Sequence, residues 1–245
     1  MFDAVVVIPV YNHGAPAVRT VQSLRQLGLQ CIVVDDGCDA QCAAALDEAA
    51  AQPGVELVRL PLNQGKGGAV MAGLRVALRQ GRTHAVQIDA DGQHDVSDVP
   101  TFLDLARRNP NAVICGQPVY DATVPRSRFI GRYATHVWVW INTLSIDIRD
   151  SMCGFRVYPL PSVMKLIDSA RLGRRMDFDP EVLVRLHWRG VAILNVPTRV
   201  TYPRDGVSHF RLWRDNVLIS RMHARLFLGM VLRLPWLLWR KARRA

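Results

Sequence analysis

Acidic and amide side chains stand where short apolar runs of this chain stop. Asp89 and Asp91 end the run His84 to Asp89, with Gln93 two residues on. In extended backbone, residues i and i+2 point the same way, so two carboxylates and an amide oxygen can meet one hard divalent cation. Mg²⁺ or Mn²⁺ takes such ligands and commonly bridges carboxylates to substrate phosphates. A solvated Asp-rich turn is the bland alternative for a D-x-D pair. Asp35-Asp36 ends a second run, where adjacent like charges need a ligand or a donor to compensate them. The stretch Asn63-Gln64-Gly65-Lys66-Gly67-Gly68 opens a helical pattern. Its N–H groups, the helix dipole and a lysine would suit phosphate. Neither GxxxxGK[ST] nor a GxGxxG directly after the first strand is present, and a glycine turn with a solvated Lys66 is an even alternative.

These residues need a scaffold, and the first half of the chain supplies one. Ala4 to Val10, Gln30 to Asp35, Val55 to Leu60, His84 to Asp89 and Ala112 to Gly116 read as strands. Their near-continuous apolar character predicts burial on both faces, as in a parallel sheet. Pro16 to Leu27, Ala40 to Ala51, Lys66 to Gln80 and Ser97 to Arg108 read as helices between them. The fold class is α/β, and in such a sheet ligands bind at the carboxyl ends of strands, where the polar clusters should converge. The second half is less regular: a helix over Phe129 to Leu144, a strand over Cys153 to Tyr158, a helix over Pro180 to Arg189 and a strand over Ala192 to Val196.

Val7-Ile8-Pro9-Val10-Tyr11-Asn12, Val33-Val34-Asp35-Asp36-Gly37, Asn63 to Gly67 and Asp89-Ala90-Asp91-Gly92-Gln93-His94 follow one another in an order and at separations that resemble family 2 inverting glycosyltransferases of the GT-A fold. Within that family the chain is similar to dolichyl- and polyprenyl-phosphate sugar synthases. The resemblance covers at least Ala4 to Gly116 and implies a Rossmann-like, mostly parallel sheet with flanking helices. It implies that Pro9, Tyr11 and Asn12 line a nucleotide pocket, that Asp36 accepts a hydrogen bond from the base, and that Lys66 lies near the nucleotide. Asp89 would approach ribose and metal, while Asp91 and Gln93 would bind the Mg²⁺ or Mn²⁺ that holds the diphosphate. A cation there neutralises charge on the departing oxygen.

Further on, Ser151-Met152-Cys153-Gly154-Phe155-Arg156 resembles the family's segment beneath the acceptor, with a cysteine where a smaller residue is more usual. An acidic pair before a helix of the form xLxxRLxxxG carries the base in many relatives. Registering on Arg185 and Gly190 puts Asp179 there, with Asp177 its rival. A carboxylate at a helix start can take a proton from the acceptor oxygen. Asp179 could equally cap the helix ahead of Pro180, and a phosphate acceptor needs no base. Arg126, Arg128 and Arg132 offer forked guanidiniums that suit a lipid phosphate, or else form a solvated helix start. Thr201 to His209 resembles the loop that closes over the diphosphate, which would bring Arg204 to phosphate and His209 to metal or diphosphate.

Composition limits the remaining classes. At 245 residues, with 49% hydrophobic and 21% charged residues, disorder and a disulfide scaffold are poor readings. Five cysteines, Cys38-x3-Cys42 without a partner pair at zinc spacing, and a start lacking a secretory signal favour a reducing cytoplasm. Of the net charge of +10, +8 falls between Arg204 and Ala245, where ten basic residues meet two acidic ones. The spacing of Arg214, Arg221 and Arg225 puts them on one helical face, with Arg233 at its edge. Leu218, Met222, Leu226, Phe227, Met230 and Leu234 supply the apolar remainder, and Trp236 and Trp239 stand near the end. That is the composition of a helix lying in a membrane interface, whereas core packing alone or nucleic acid alone would explain only the stripe or only the charge. The expected organisation is a GT-A domain over 1–209 and a basic amphipathic tail over 210–245. The expected activity is metal-dependent, inverting transfer of a sugar from a nucleotide-diphosphate donor to a membrane-resident lipid or lipid-phosphate acceptor at the cytoplasmic face. Transfer to an aryl-polyene lipid or its carrier, and a non-catalytic nucleotide-sugar-binding protein on the membrane, are the alternatives.

Overall fold

The computed structural model describes residues 1–119, 126–201 and 212–243, without the side chains of 126–130 and 212. Strands β1 (Ala4–Val10), β2 (Cys31–Asp35), β3 (Val55–Arg59), β4 (His84–Gln87), β5 (Val113–Val119), β6 (Arg156–Pro159) and β7 (Ile193–Arg199) form one sheet in the order β3-β2-β1-β4-β6-β5-β7. Every pairing is parallel except those of β6, which runs against β4 and β5. The strand order reverses between β1 and β4, so the crevice that ligands use in such sheets lies at their carboxyl ends.

Alternation along each strand explains the layers. Val5 and Val7 of β1 and Ile32 and Val34 of β2 face one apolar cluster, while Val6, Ile8, Val10, Cys31 and Val33 face the other. Helices α1 (Gly14–Gln26), α2 (Ala40–Ala50) and α4 (Val99–Arg108) cover the second face. The first face is covered by α3 (Lys66–Arg79), α5 (Arg126–Thr143), α6 (Leu160–Ser169), α7 (Phe178–Trp188) and α8 (Leu212–Ala242). Burial on both faces accounts for the near-continuous apolar strands.

The α/β reading and its helices hold, with shifts at element ends. Helix α6 went unread, because Leu160-Pro161 at its start reads as a break although Pro is tolerated in a first turn. Strand β4 stops at Gln87, two residues before the expected end, so Asp89 to Asp91 form a turn rather than extended chain. Helix α7 begins at Phe178 with Asp177 at the N-cap, which places Asp179 inside the first turn and not at the cap.

The C-terminal helix carries two apolar stripes where one was expected. Ile219, Met222, Leu226, Met230 and Leu237 are buried in the same cluster as α7 residues Val182, Leu183 and Leu186. Its arginines also contact α7: Arg225 pairs with Glu181 at 3.0 Å, and Arg233 stacks on the Trp188 ring at 4.9 Å. Arg240 donates to the terminal α7 carbonyls of His187 and Trp188. Arg225 thus ties α8 to α7 while remaining exposed, as Arg214 and Arg221 are. Left over on the outside are Leu228, Val231, Leu232, Trp236, Leu238 and Trp239. No helix among the described residues is long and apolar enough to cross a membrane.

Candidate active site

The strand-end carboxylates are held by different partners. Asp35 accepts from the Cys38 N–H at 2.8 Å and from Arg59 Nε at 3.2 Å. Asp36 accepts from the N–H groups of Gln64 and Gly65, at 2.6 and 2.8 Å. The protein's own donors thus compensate the adjacent pair, and Asp36 fixes the glycine-rich turn that launches α3. Burial still pushes the Asp36 carboxyl up. At Gly65, φ is +87°, a conformation that favours glycine, and an added Cβ would press on Arg174 and Arg175. Asn12, also at positive φ, accepts from the Asp39 N–H at 2.8 Å and so ties the end of β1 to the loop after β2. Pro9 lies within β1, opposite Val34 of β2, and Tyr11 follows its end.

Lys66, the first residue of α3, reaches across this crevice. Its Nζ lies 2.8 Å from Asp89 Oδ2 and 2.7 Å from Asp179 Oδ2. Burial would lower the Lys66 pKa, but the charges of Asp179 and Asp89 raise it instead. Burial likewise opposes ionisation of Asp89, yet Lys66 and His94 hold that carboxyl well below the usual range. The other oxygen, Asp89 Oδ1, is buried and has no hydrogen-bond partner among the described residues. Asp91 accepts from the Gln93 N–H at 3.0 Å, and burial followed by the Asp89 charge pushes its carboxyl up.

Those observations decide whether a divalent cation suits the site. No three His, Cys, Asp or Glu side chains among the described residues converge on one point. What stands there is an oxygen-only pair of carboxylates, one with an unmet lone pair and the other with a raised pKa. This suits Mg²⁺ or Mn²⁺ completed by substrate phosphates and water, the ordinary arrangement for such ions. Gly154 of the Ser151 to Arg156 segment lies against the Asp89 carboxylate, so closely that any Cβ would collide with it.

Asp179 sits in a buried network that the sequence reading missed. Gln87 Nε2 donates to its Oδ1 at 3.1 Å, and Arg156 Nη1 lies 3.5 Å from the same oxygen. Arg156, with no exposed surface, also donates to the carbonyls of Asp179 and Ser151 and to Tyr158 OH, while Tyr158 OH donates to Gln87 Oε1. Gln87 and Arg156 are register partners across β4 and β6. The available signal was polar residues inside otherwise apolar strands, which require partners when buried. Asp177 instead accepts from the Arg175 N–H at 3.1 Å, and burial raises its pKa.

Arg132 is committed to Asp150 through two bonds of 2.6 and 2.7 Å. Burial opposes charge on Asp150, but His136 and Arg132 hold its carboxyl well below the normal range. The side chains of Arg126 and Arg128, and all of Arg204 and His209, lie outside the described residues. Thr201, the last residue before 202–211, donates its N–H to the Gln93 carbonyl at 3.0 Å, and Val200 bridges His94.

Comparison with known proteins agrees with this architecture. The profile described as Glycosyl transferase family 2 matches residues 5–162. The polyprenol monophosphomannose synthase of Mycolicibacterium smegmatis is 28% identical over 212 residues, covering 83% of this chain and 79% of its own. The undecaprenyl-phosphate mannosyltransferase of Micrococcus luteus is 28% identical over 197 residues, covering 78% and 80%. Among solved structures, glucosyl-3-phosphoglycerate synthase from Mycobacterium tuberculosis, in complex with Mn²⁺ and uridine-diphosphate-glucose, superposes with a TM-score of 0.66 at 16% identity. That alignment covers 94% of this chain and 79% of that one, and it shares the GT-A fold.

Proposed function

The chain belongs to glycosyl transferase family 2, and on that premise we propose that it moves a sugar, with inversion, from a nucleotide-diphosphate donor to a lipid phosphate at the cytoplasmic face of a membrane. The observation that carries this reading is Lys66, whose ammonium joins Asp89 and Asp179, with Asp179 already supplied with donors on both oxygens. A carboxylate held by Lys66, Gln87 and Arg156 is poorly placed to strip a proton from an alcohol. An acceptor phosphate arrives ionised and needs no base. Its oxygen attacks the anomeric carbon from the face opposite the diphosphate, the new C–O bond forms as the old one breaks, and the nucleoside diphosphate departs.

In this reading Pro9, Tyr11 and Asn12 line the nucleotide site, and Asp36 sets the turn that aims Lys66. Lys66 orders Asp89 and Asp179 until the donor enters. A Mg²⁺ or Mn²⁺ ion held by Asp89, Asp91 and Gln93 would neutralise charge on the leaving diphosphate. Arg126, Arg128, Arg204 and His209 are proposed to meet acceptor or diphosphate, with Arg132 positioned by Asp150. If an alcohol were the acceptor, Asp179 or Asp177 would have to act as base. The outward apolar stripe of α8 rests on the membrane that carries the acceptor, and the lipid-phosphate names of the relatives support that choice.

The test is thermal shift with UDP-, GDP- and dTDP-sugars plus Mn²⁺, followed by transfer of labelled sugar to a polyprenyl phosphate. One donor should stabilise the wild type but not Asp91→Ala, and label should enter the lipid phosphate. Stabilisation by no donor, or transfer only to an alcohol, would overturn the reading.

A further inference from the structure

Helices α5 and α8 do not close on each other along their whole length. Ala134 on α5 and Ser220 and Ala224 on α8 are too small to fill the space between them, which leaves a groove of about 600 Å³. That is the size of a small-molecule pocket. Trp138, Phe227 and Leu228 line its rim and are themselves exposed, at 45%, 40% and 66%. Val231 and Leu232 continue the apolar surface outward along α8.

The wall of the groove is not purely apolar. His223 lines it, is only 5% exposed, and has an Nε2 with no hydrogen-bond partner among the described residues. Its Nδ1 lies 3.3 Å from Asn142 Nδ2, so Nε2 is left unmet whichever nitrogen carries the proton. That nitrogen has no surface a water-sized group can reach, so His223 shapes the wall of the groove and does not bind what enters it. Burial lowers the imidazolium pKa to about 4, so the ring is neutral at pH 7 and adds no charge to the wall.

We infer that this groove holds one hydrocarbon chain of a membrane lipid. The inference rests on the membrane reading of α8 but concerns a different place, the space between the helices rather than the outward stripe. Continuity of the rim with that stripe favours a chain rising out of the bilayer over a partner protein. An apolar opening that leads into a larger exposed apolar patch lets a chain enter without crossing water.

The experiment uses the full chain and vesicles of phosphatidylcholine and phosphatidylglycerol that carry a trace of phosphatidylcholine with a diazirine in its acyl chain. After photolysis, peptide mass spectrometry should find label in the segments 131–138 and 216–228. Ala224→Trp, at an exposed position, fills the gap and should abolish that label while label on Val231 to Trp239 and co-sedimentation with vesicles persist. Ser220→Leu repeats the test if the tryptophan perturbs the circular dichroism. Label confined to Val231 to Trp239, or groove label that survives both substitutions, overturns the proposal. So does a lipid-independent dimer that Ala224→Trp dissociates, which would make the groove a seat for a second copy. No sugar donor is present, so the result stands apart from whether the transfer reaction is as proposed.

Discussion

With its ammonium 2.8 Å from Asp89 and 2.7 Å from Asp179, Lys66 stabilises two carboxylates that would otherwise repel each other. Lys66→Met removes the charge and keeps the bulk. Because the pair retains 17% to 22% exposure, the loss belongs at the low end for breaking a buried pair, about 3 kcal/mol, readable by urea unfolding. Transfer should fall about 100-fold in kcat, as for loss of one preorganised charge partner; wild-type rates in this variant would remove Lys66 from the site. His223 yields a second test, with a clear sign. Its folded pKa, held by burial at about 4, lies below the unfolded value of about 6.5. The unfolded chain therefore binds the extra proton first. The contribution of neutral His223 is fully present above about pH 6.5 and is lost progressively down to about pH 4, amounting to roughly 3 kcal/mol. Unfolding free energies measured across this range should fall more steeply with acid in the wild type than in His223→Gln, and parallel curves would contradict it. The polar clusters at the strand ends were legible because carboxylates that follow apolar strands stand out. Gln87 and Arg156 were not, because a single polar residue in a short strand does not reveal a partner on a strand far along the chain.

At the scale of elements, α7 is the joint between the catalytic crevice and the C-terminal helix. Its first turn carries both Asp179 and, two residues on, Glu181, which is fully buried. Glu181 accepts from the Gly173 N–H at 2.8 Å, from Arg185 Nε at 2.9 Å and from Arg225 Nη2 at 3.0 Å. The partners differ in burial: the Glu181 side chain has no exposed surface, whereas that of Arg225 is 53% exposed. Glu181→Ala frees two partly exposed arginines and leaves the Gly173 N–H without its acceptor, and should cost about 1–3 kcal/mol. Arg225→Ala leaves Glu181 its other donors and should cost about 1 kcal/mol or less. Equal losses in denaturant titrations would mean that Glu181 is not the anchor of the joint. The alternating strands and helices of the first half were readable because parallel strands buried on both faces are apolar throughout, a pattern distinct from the helices between them. The second half was harder to read. Strand β6 was expected over Cys153 to Tyr158 and is found at Arg156–Pro159, but four residues do not reveal that it runs against its neighbours, and the start of α6 is masked by a proline.

For the whole molecule, the basic excess of the C-terminal segment divides between two tasks. Arg225, Arg233 and Arg240 fasten α8 to α7, while Arg214 and Arg221 are exposed on α8 away from these contacts and Arg243 lies against Trp239. A periodicity argument sees charge and apolar stripe together and assigns both to one partner, whereas the fold gives the inner stripe to the core. Truncating the chain at Val217 would therefore strip Ile219, Met222, Leu226 and Met230 from that core and could not report on membrane binding. Substitutions on the outer stripe can. Leu232 is 82% exposed, and Trp236 and Leu238 are each about half exposed. Trp236 stacks on Trp239 at 4.8 Å, and Arg243 lies 4.0 Å from the Trp239 ring, which makes an aromatic edge with a cation beside it. In the proposed membrane reading, such an edge would sit at the level of lipid headgroups. Replacing Leu232, Trp236 and Leu238 together with glutamine removes about 1 kcal/mol of membrane burial at each, so partition onto anionic vesicles should fall roughly 100-fold. The melting temperature should hold, because none of the three lies in the core. Arg214→Gln with Arg221→Gln should weaken binding to anionic vesicles, leave binding to neutral ones unchanged, and reduce the sensitivity to added salt. Undiminished vesicle binding by the triple variant would remove α8 as the membrane contact and leave the exposed apolar stripe for a protein partner.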